Sequence, residues 1–149
     1  MLKYLLDTNI VIYTMKNRPA EVRQTFNTRA GQLAMSSVTL MELMYGAEKS
    51  GNPAKNIRTI EAFTAGLTVL DYDTAAAQHT GQIRAELAEA GQPIGPYDQM
   101  IAGHARSLGL VLVSNNTGEF RRVPGLHLEN WVKGASKTSW KCVLPPVMR

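Results

Sequence analysis

A short apolar run that stops at an acid constrains this chain most. Residues Leu2 to Leu6 read as a buried strand, closed by the polar triplet Asp7, Thr8 and Asn9. That triplet carries helix N-cap chemistry, and a helix-like stretch, Ile10 to Met15, follows. Open α/β sheets hold their ligands at the carboxyl ends of their strands, and Asp7 stands there.

The pattern then repeats. Strand-like runs at Gln32–Ser36, Leu67–Leu70, Leu110–Val113 and Leu126–Leu128 alternate with stretches of helical period. Pro19 suits the first turn of a helix that turns Phe26 inward. Thr39 and Glu42 have capping-box spacing ahead of a helix to about Ser50, and Ile57, Ile60, Ala62 and Phe63 follow at helical spacing. Asp73 caps a long helix with Ala76, Thr80, Ile83 and Leu87 inward and Gly91 behind it. Gly95 to Asp98 turn into another helix, with Ile101, Ala105 and Leu108 inward and Gly109 as its stop. Strands alternating with helices predict an α/β fold, a three-layer α/β/α sandwich around a central parallel sheet.

One domain is expected at residues 1–132. The remainder, 133–149, reads as a disordered tail, an extension or a scar. Composition needs this division. Four of the 16 Lys and Arg lie in 133–149, which holds no acid, so the formal charge of 1–132 is zero. Nucleic-acid binding by the domain must therefore rest on local patches. No apolar run is long enough to cross a membrane, and no secretory leader pattern opens the chain. The single cysteine, Cys142, suits a reducing compartment, and a cytoplasmic protein is expected.

Three acids follow strands and open helices: Asp7, Glu42 and Asp98. Each has a structural explanation as a cap or capping-box partner. Together they mean more, because a parallel sheet brings the ends of its strands to one edge. Carboxylates gathered there raise one another's pKa unless a cation intervenes, and Mg²⁺ and Mn²⁺ favour oxygen ligands. Asn9, Ser114, Asn116 and Glu119 are candidates for a supporting role. His79, His104 and His127 form no zinc-helix pair, and there is no nucleophile elbow and no phosphate-binding loop.

These segments resemble the PIN-domain ribonucleases, in particular the VapC-type toxins of bacterial toxin–antitoxin pairs. The resemblance is carried by Tyr4–Asn9, Ser37–Gly46, Gly95–Ala105, and Val113–Asn116 with Phe120–Gly125, in the family's order over residues 1 to about 132. It implies a PIN-like fold and an endoribonuclease dependent on Mg²⁺ or Mn²⁺, with Asp7, Glu42 and Asp98 as metal-binding, catalytic acids. The family's fourth acidic position falls near Asn116 or Glu119, and Asn116 is not an acid. The resemblance also implies a homodimer and a cognate VapB-type antitoxin that obstructs the site. Among enteric members the expected substrate is initiator tRNA, cut in its anticodon loop, which halts translation.

The expected chemistry is attack of a metal-activated water on a backbone phosphate, leaving 5′-phosphate and 3′-hydroxyl ends. Arg18, Arg84, Arg121 and Arg122 are candidate RNA contacts, and Tyr97 a candidate base-stacking residue. Apolar positions on 40–45 and 57–63 mark either a groove for an antitoxin helix or an ordinary helical hairpin fully used by the core. The alternatives are a catalytically inactive PIN-like module that binds RNA or protein, a related metal-dependent phosphoesterase acting on DNA or nucleotides, and a flavodoxin-like nucleotide binder.

Overall fold

The computed structural model describes residues 1–133. The expectations for the tail beyond Lys133, and for Cys142 within it, lie outside the described residues. Five parallel strands form one sheet: β1 (Tyr4–Leu6), β2 (Leu33–Ser36), β3 (Thr68–Leu70), β4 (Val111–Val113) and β5 (His127–Glu129), in the order β3-β2-β1-β4-β5. Tyr4 of the central strand is in register with Leu33 on one side and Val111 on the other.

The helices are α1 (Thr8–Lys16), α2 (Ala20–Thr28), α3 (Ser37–Glu48), α4 (Pro53–Thr64), α5 (Thr74–Glu89), α6 (Pro96–Leu108) and the short α7 (Thr117–Phe120). Side chains alternate across a strand, so β1 feeds both faces of the sheet. Tyr4 and Leu6 pack with Ile10, Val22, Leu43 and Ile60, from α1 to α4. Leu5 packs on the other face with Ile83, Leu87, Ile101 and Ala105, from α5 and α6. This is the expected three-layer sandwich.

Several local expectations need correction. Ser36, not Thr39, caps α3: its Oγ accepts from the Val38 amide at 3.0 Å. Thr39 lies one turn inside the helix, so Glu42 is no capping-box partner. Gly95 is the N-cap of α6, without a side-chain bond, and Asp98 sits inside its first turn. Leu108 is 47% exposed because the helix ends at Gly109, and Ala62 faces solvent. The turn α7 carries too few residues to show a period in the sequence.

Other expected caps are present, with Asp7 at the start of α1 and Gly109 at the end of α6. Asp73 Oδ1 accepts from the Ala76 amide at 2.9 Å. Gly91 takes a positive φ of 70° behind α5, and the Gln92 amide reaches back to the Leu87 carbonyl at 2.9 Å. Gly103 lets α6 cross α5 closely. A Cβ there would overlap the Thr80 hydroxyl and lie 2.8 Å from the Thr80 nitrogen.

Candidate active site

The carboxyl edge of the sheet opens into a cavity of about 680 Å³. Asp7, Glu42 and Asp98 all line it, with Asn9, Asn116, Glu119 and Tyr97. Each acid arrives by a different route. Asp7 ends β1, its amide donating to the Val113 carbonyl of neighbouring β4 at 3.0 Å. Glu42 is carried in on α3, which begins where β2 ends. Asp98 comes from the first turn of α6, and Asn116 with Glu119 from α7 behind β4.

Asp7 is buried, at 4% exposure, and it is also the N-cap of α1, Oδ1 accepting from the Ile10 amide at 2.8 Å. Its pKa is pushed up from 3.8 to about 7. Burial is the largest cause, and the charges of Asp98 and Glu42 add to it. Hydrogen bonds from the Ser114 side chain and the Ile10 amide oppose the rise without cancelling it. Ser114 is itself fully buried and also takes the Asn116 amide at 2.8 Å. It therefore holds Asp7 and shapes the turn into α7.

Glu42 is raised too, again by burial first, against the Thr8 hydroxyl that donates to its Oε1 at 2.6 Å. Thr8 Oγ1 also lies 3.2 Å from Thr39 Oγ1. Thr8 is a site residue the sequence did not mark, because nothing in a lone Thr shows which carboxylate it will meet. Tyr45, expected to face a partner, and Lys49, which caps the end of α3, also line the cavity; they follow Glu42 by three and seven residues. Arg18, Arg84, Arg121 and Arg122 do not line it, and Arg84 faces a separate depression beside Ile94 and Pro96.

These oxygens fit a divalent cation. Asp7 keeps a pKa near 7 despite two hydrogen-bond donors, raised first by burial and further by the charges of Asp98 and Glu42, which a cation would offset. Among the described residues no three acidic, His or Cys side chains are gathered into a ready ligand set. Glu42 is held back on Thr8. Asp7, Asp98 and Glu42 are the cavity residues that would hold such a cation.

The PIN domain family model matches residues 4–126, the span that carries this edge. The chain belongs to the PIN domain family. It is 64% identical over 131 residues to the tRNA(fMet)-specific endonuclease VapC of Shigella flexneri, covering 88% of this chain and 99% of that one. It is 60% identical to the tRNA(fMet)-specific endonuclease VapC of Salmonella typhimurium over the same shares. Its fold superposes on a crystal structure of DNA-bound VapBC from Salmonella typhimurium with a TM-score of 0.85, at 59% identity, over 89% of this chain and all of that one.

Proposed function

We propose that this protein is the endoribonuclease toxin of a toxin–antitoxin pair, that it cuts tRNA(fMet), and that its activity depends on Mg²⁺ or Mn²⁺. The observation that carries the chemistry is Asp7: a buried carboxyl group with its pKa near 7, flanked by Asp98 and Glu42 in one cavity. The names and identity of the relatives support the substrate. Structures of VapBC complexes support a VapB-type antitoxin as partner. Its proposed seat is over this site, and a homodimer is the proposed toxin unit. No helix among the described residues is long and apolar enough to cross a membrane. Cytoplasmic action fits the proposed substrate. The nuclease unit is taken as 1–132, since Trp131 and Val132 are buried in the core beside β1.

Asp7 and Asp98 would hold the cation, with Glu42 reaching it directly or through water. The cation would supply an acidified water as nucleophile and offset charge on the phosphoryl oxygens. Ser114 and the α1 N-terminus fix the Asp7 carboxylate in place, and the positive end of the helix favours its ionised form. Thr8 sets the Glu42 carboxylate at the cavity wall. An RNA loop suits the cavity because its backbone can be splayed against a concave edge. No 2′-hydroxyl attack is needed, so the products carry 5′-phosphate and 3′-hydroxyl ends. Sequencing RNA ends after a brief pulse of expression tests this: cuts should collect in the anticodon loop of tRNA(fMet), and an unchanged tRNA pool would refute the substrate.

A further inference from the structure

The acidic cavity has a second wall that the hydrolytic chemistry does not use. Five large hydrophobic side chains are markedly exposed among the described residues, and three of them, Met41, Tyr45 and Tyr97, line this cavity. Apolar surface gathered at one opening marks a place where something binds. Tyr45 is 64% exposed and Tyr97 48%, the first supplied by α3 and the second by α6. Lys49 is the one Lys or Arg in the lining, against four acids: Asp7, Glu42, Asp98 and Glu119. Its Nζ stands 5.0 Å from the centre of the Tyr45 ring. Among the described residues no carboxylate lies within ion-pair distance of it.

We infer that Tyr45 and Lys49 form the strand-holding subsite of this cavity: Tyr45 stacks an unpaired base beside the cut phosphate, and Lys49 takes the next phosphate along. The inference rests on the ribonuclease reading. Glu42, Tyr45 and Lys49 follow one another at spacings of three and four, so they run along one face of α3 to its C-cap over about 10 Å. A polyanion entering a wall of acids needs a cation there, and Lys49 supplies it. The ammonium covers part of one ring face, and the exposed remainder is free for a base. Stacking on an aromatic ring with a cation close by is how single strands are held without base pairing.

The test uses the full chain, Mg²⁺ and the tRNA(fMet) anticodon stem–loop with 2-aminopurine in its loop. Tyr45→Ala should raise KM roughly tenfold with kcat nearly unchanged, and should lose the fluorescence quenching that stacking causes. Tyr45→Phe should restore both. Lys49→Met should reduce the slope of log KM against log salt by about one, and Lys49→Arg should retain it. Thermal melts establish that each variant is folded. Wild-type KM, quenching and salt slope in folded Tyr45→Ala and Lys49→Met would overturn the subsite while leaving the ribonuclease reading intact. So would changes that weaken only inhibition by a protein partner, which assign the wall to that partner. If the wild type itself fails to cut the RNA, the ribonuclease reading falls, and the subsite with it.

Discussion

The Thr8 hydroxyl donates to Glu42 Oε1 at 2.6 Å, tying the first turn of α1 to the middle of α3. Thr8 directly follows Asp7, so one short segment places two of the three acids: one by its own carboxyl, the other through its neighbour's hydroxyl. Hydrogen bonds to a charged group are worth about 1.5–3 kcal/mol. Thr8→Val keeps the shape and removes the donor. Cleavage should fall roughly tenfold in kcat while far-UV circular dichroism stays native. Thr8→Ser should recover most of the loss, and an unaffected Thr8→Val would show that Glu42 needs no such support.

The raised pKa of Asp7 has a consequence for stability. Between 3.8 and about 7 the folded protein binds a proton that the unfolded chain has released. Its contribution is therefore full below 3.8 and is lost as pH rises through 7. In EDTA, urea denaturation should show wild type losing stability relative to Asp7→Asn across this window, by an amount on the order of a few kcal/mol. Asp7→Asn should then be the more stable protein at pH 8, and Mg²⁺ or Mn²⁺ should narrow the gap by stabilising wild type alone. A difference that does not vary with pH would remove the burial argument.

The α5–α6 crossing is a packing constraint with a functional reach, because α6 carries Asp98. Gly103 leaves no room for a methyl group against the Thr80 backbone, 2.8 Å from where its Cβ would stand. Thr80 cannot yield easily: its hydroxyl donates to the Ala76 carbonyl at 2.8 Å and accepts from Tyr72 at 2.7 Å. Gly103→Ala should cost about 1–3 kcal/mol in chemical denaturation and lower cleavage by moving the start of α6. A variant of wild-type stability would mean that the helices separate freely.

Much of this architecture could be read from the chain because strand ends and helix starts are local signals. Leu5 and Leu6 followed by Asp7, and the apolar run ending at Val113, placed two adjacent strands and the edge where their termini meet. Asp7, Glu42 and Asp98 do line one cavity there. Asp7 also caps α1 as expected, and what failed was the local role of the other two acids. Glu42 has capping-box spacing from Thr39 but pairs with Thr8, 34 residues away, and no spacing rule reports such a contact. His104 looked bland and is in fact buried, its Nδ1 2.8 Å from the Ser36 hydroxyl that caps α3. Burial pushes its pKa down, and the neutral ring can accept from that hydroxyl. Its position depends on the strand order, which the sequence does not print. The sequence marks Tyr45 only as part of an apolar groove for a protein partner, and Lys49 goes unmarked because one Lys at the end of a helix looks like any solvated face until a cavity is found beside it.

The central claim is that Asp7 and its neighbours hydrolyse RNA with the help of a cation. It is tested most directly by incubating purified protein with tRNA(fMet) and mapping the ends. Wild type with Mn²⁺ should give 5′-phosphate and 3′-hydroxyl ends, lose activity in EDTA and regain it when Mn²⁺ is restored; folded Asp7→Asn should give no cut under any of these conditions. Cleavage by Asp7→Asn, cleavage persisting in EDTA, or a 2′,3′-cyclic phosphate product would contradict the account.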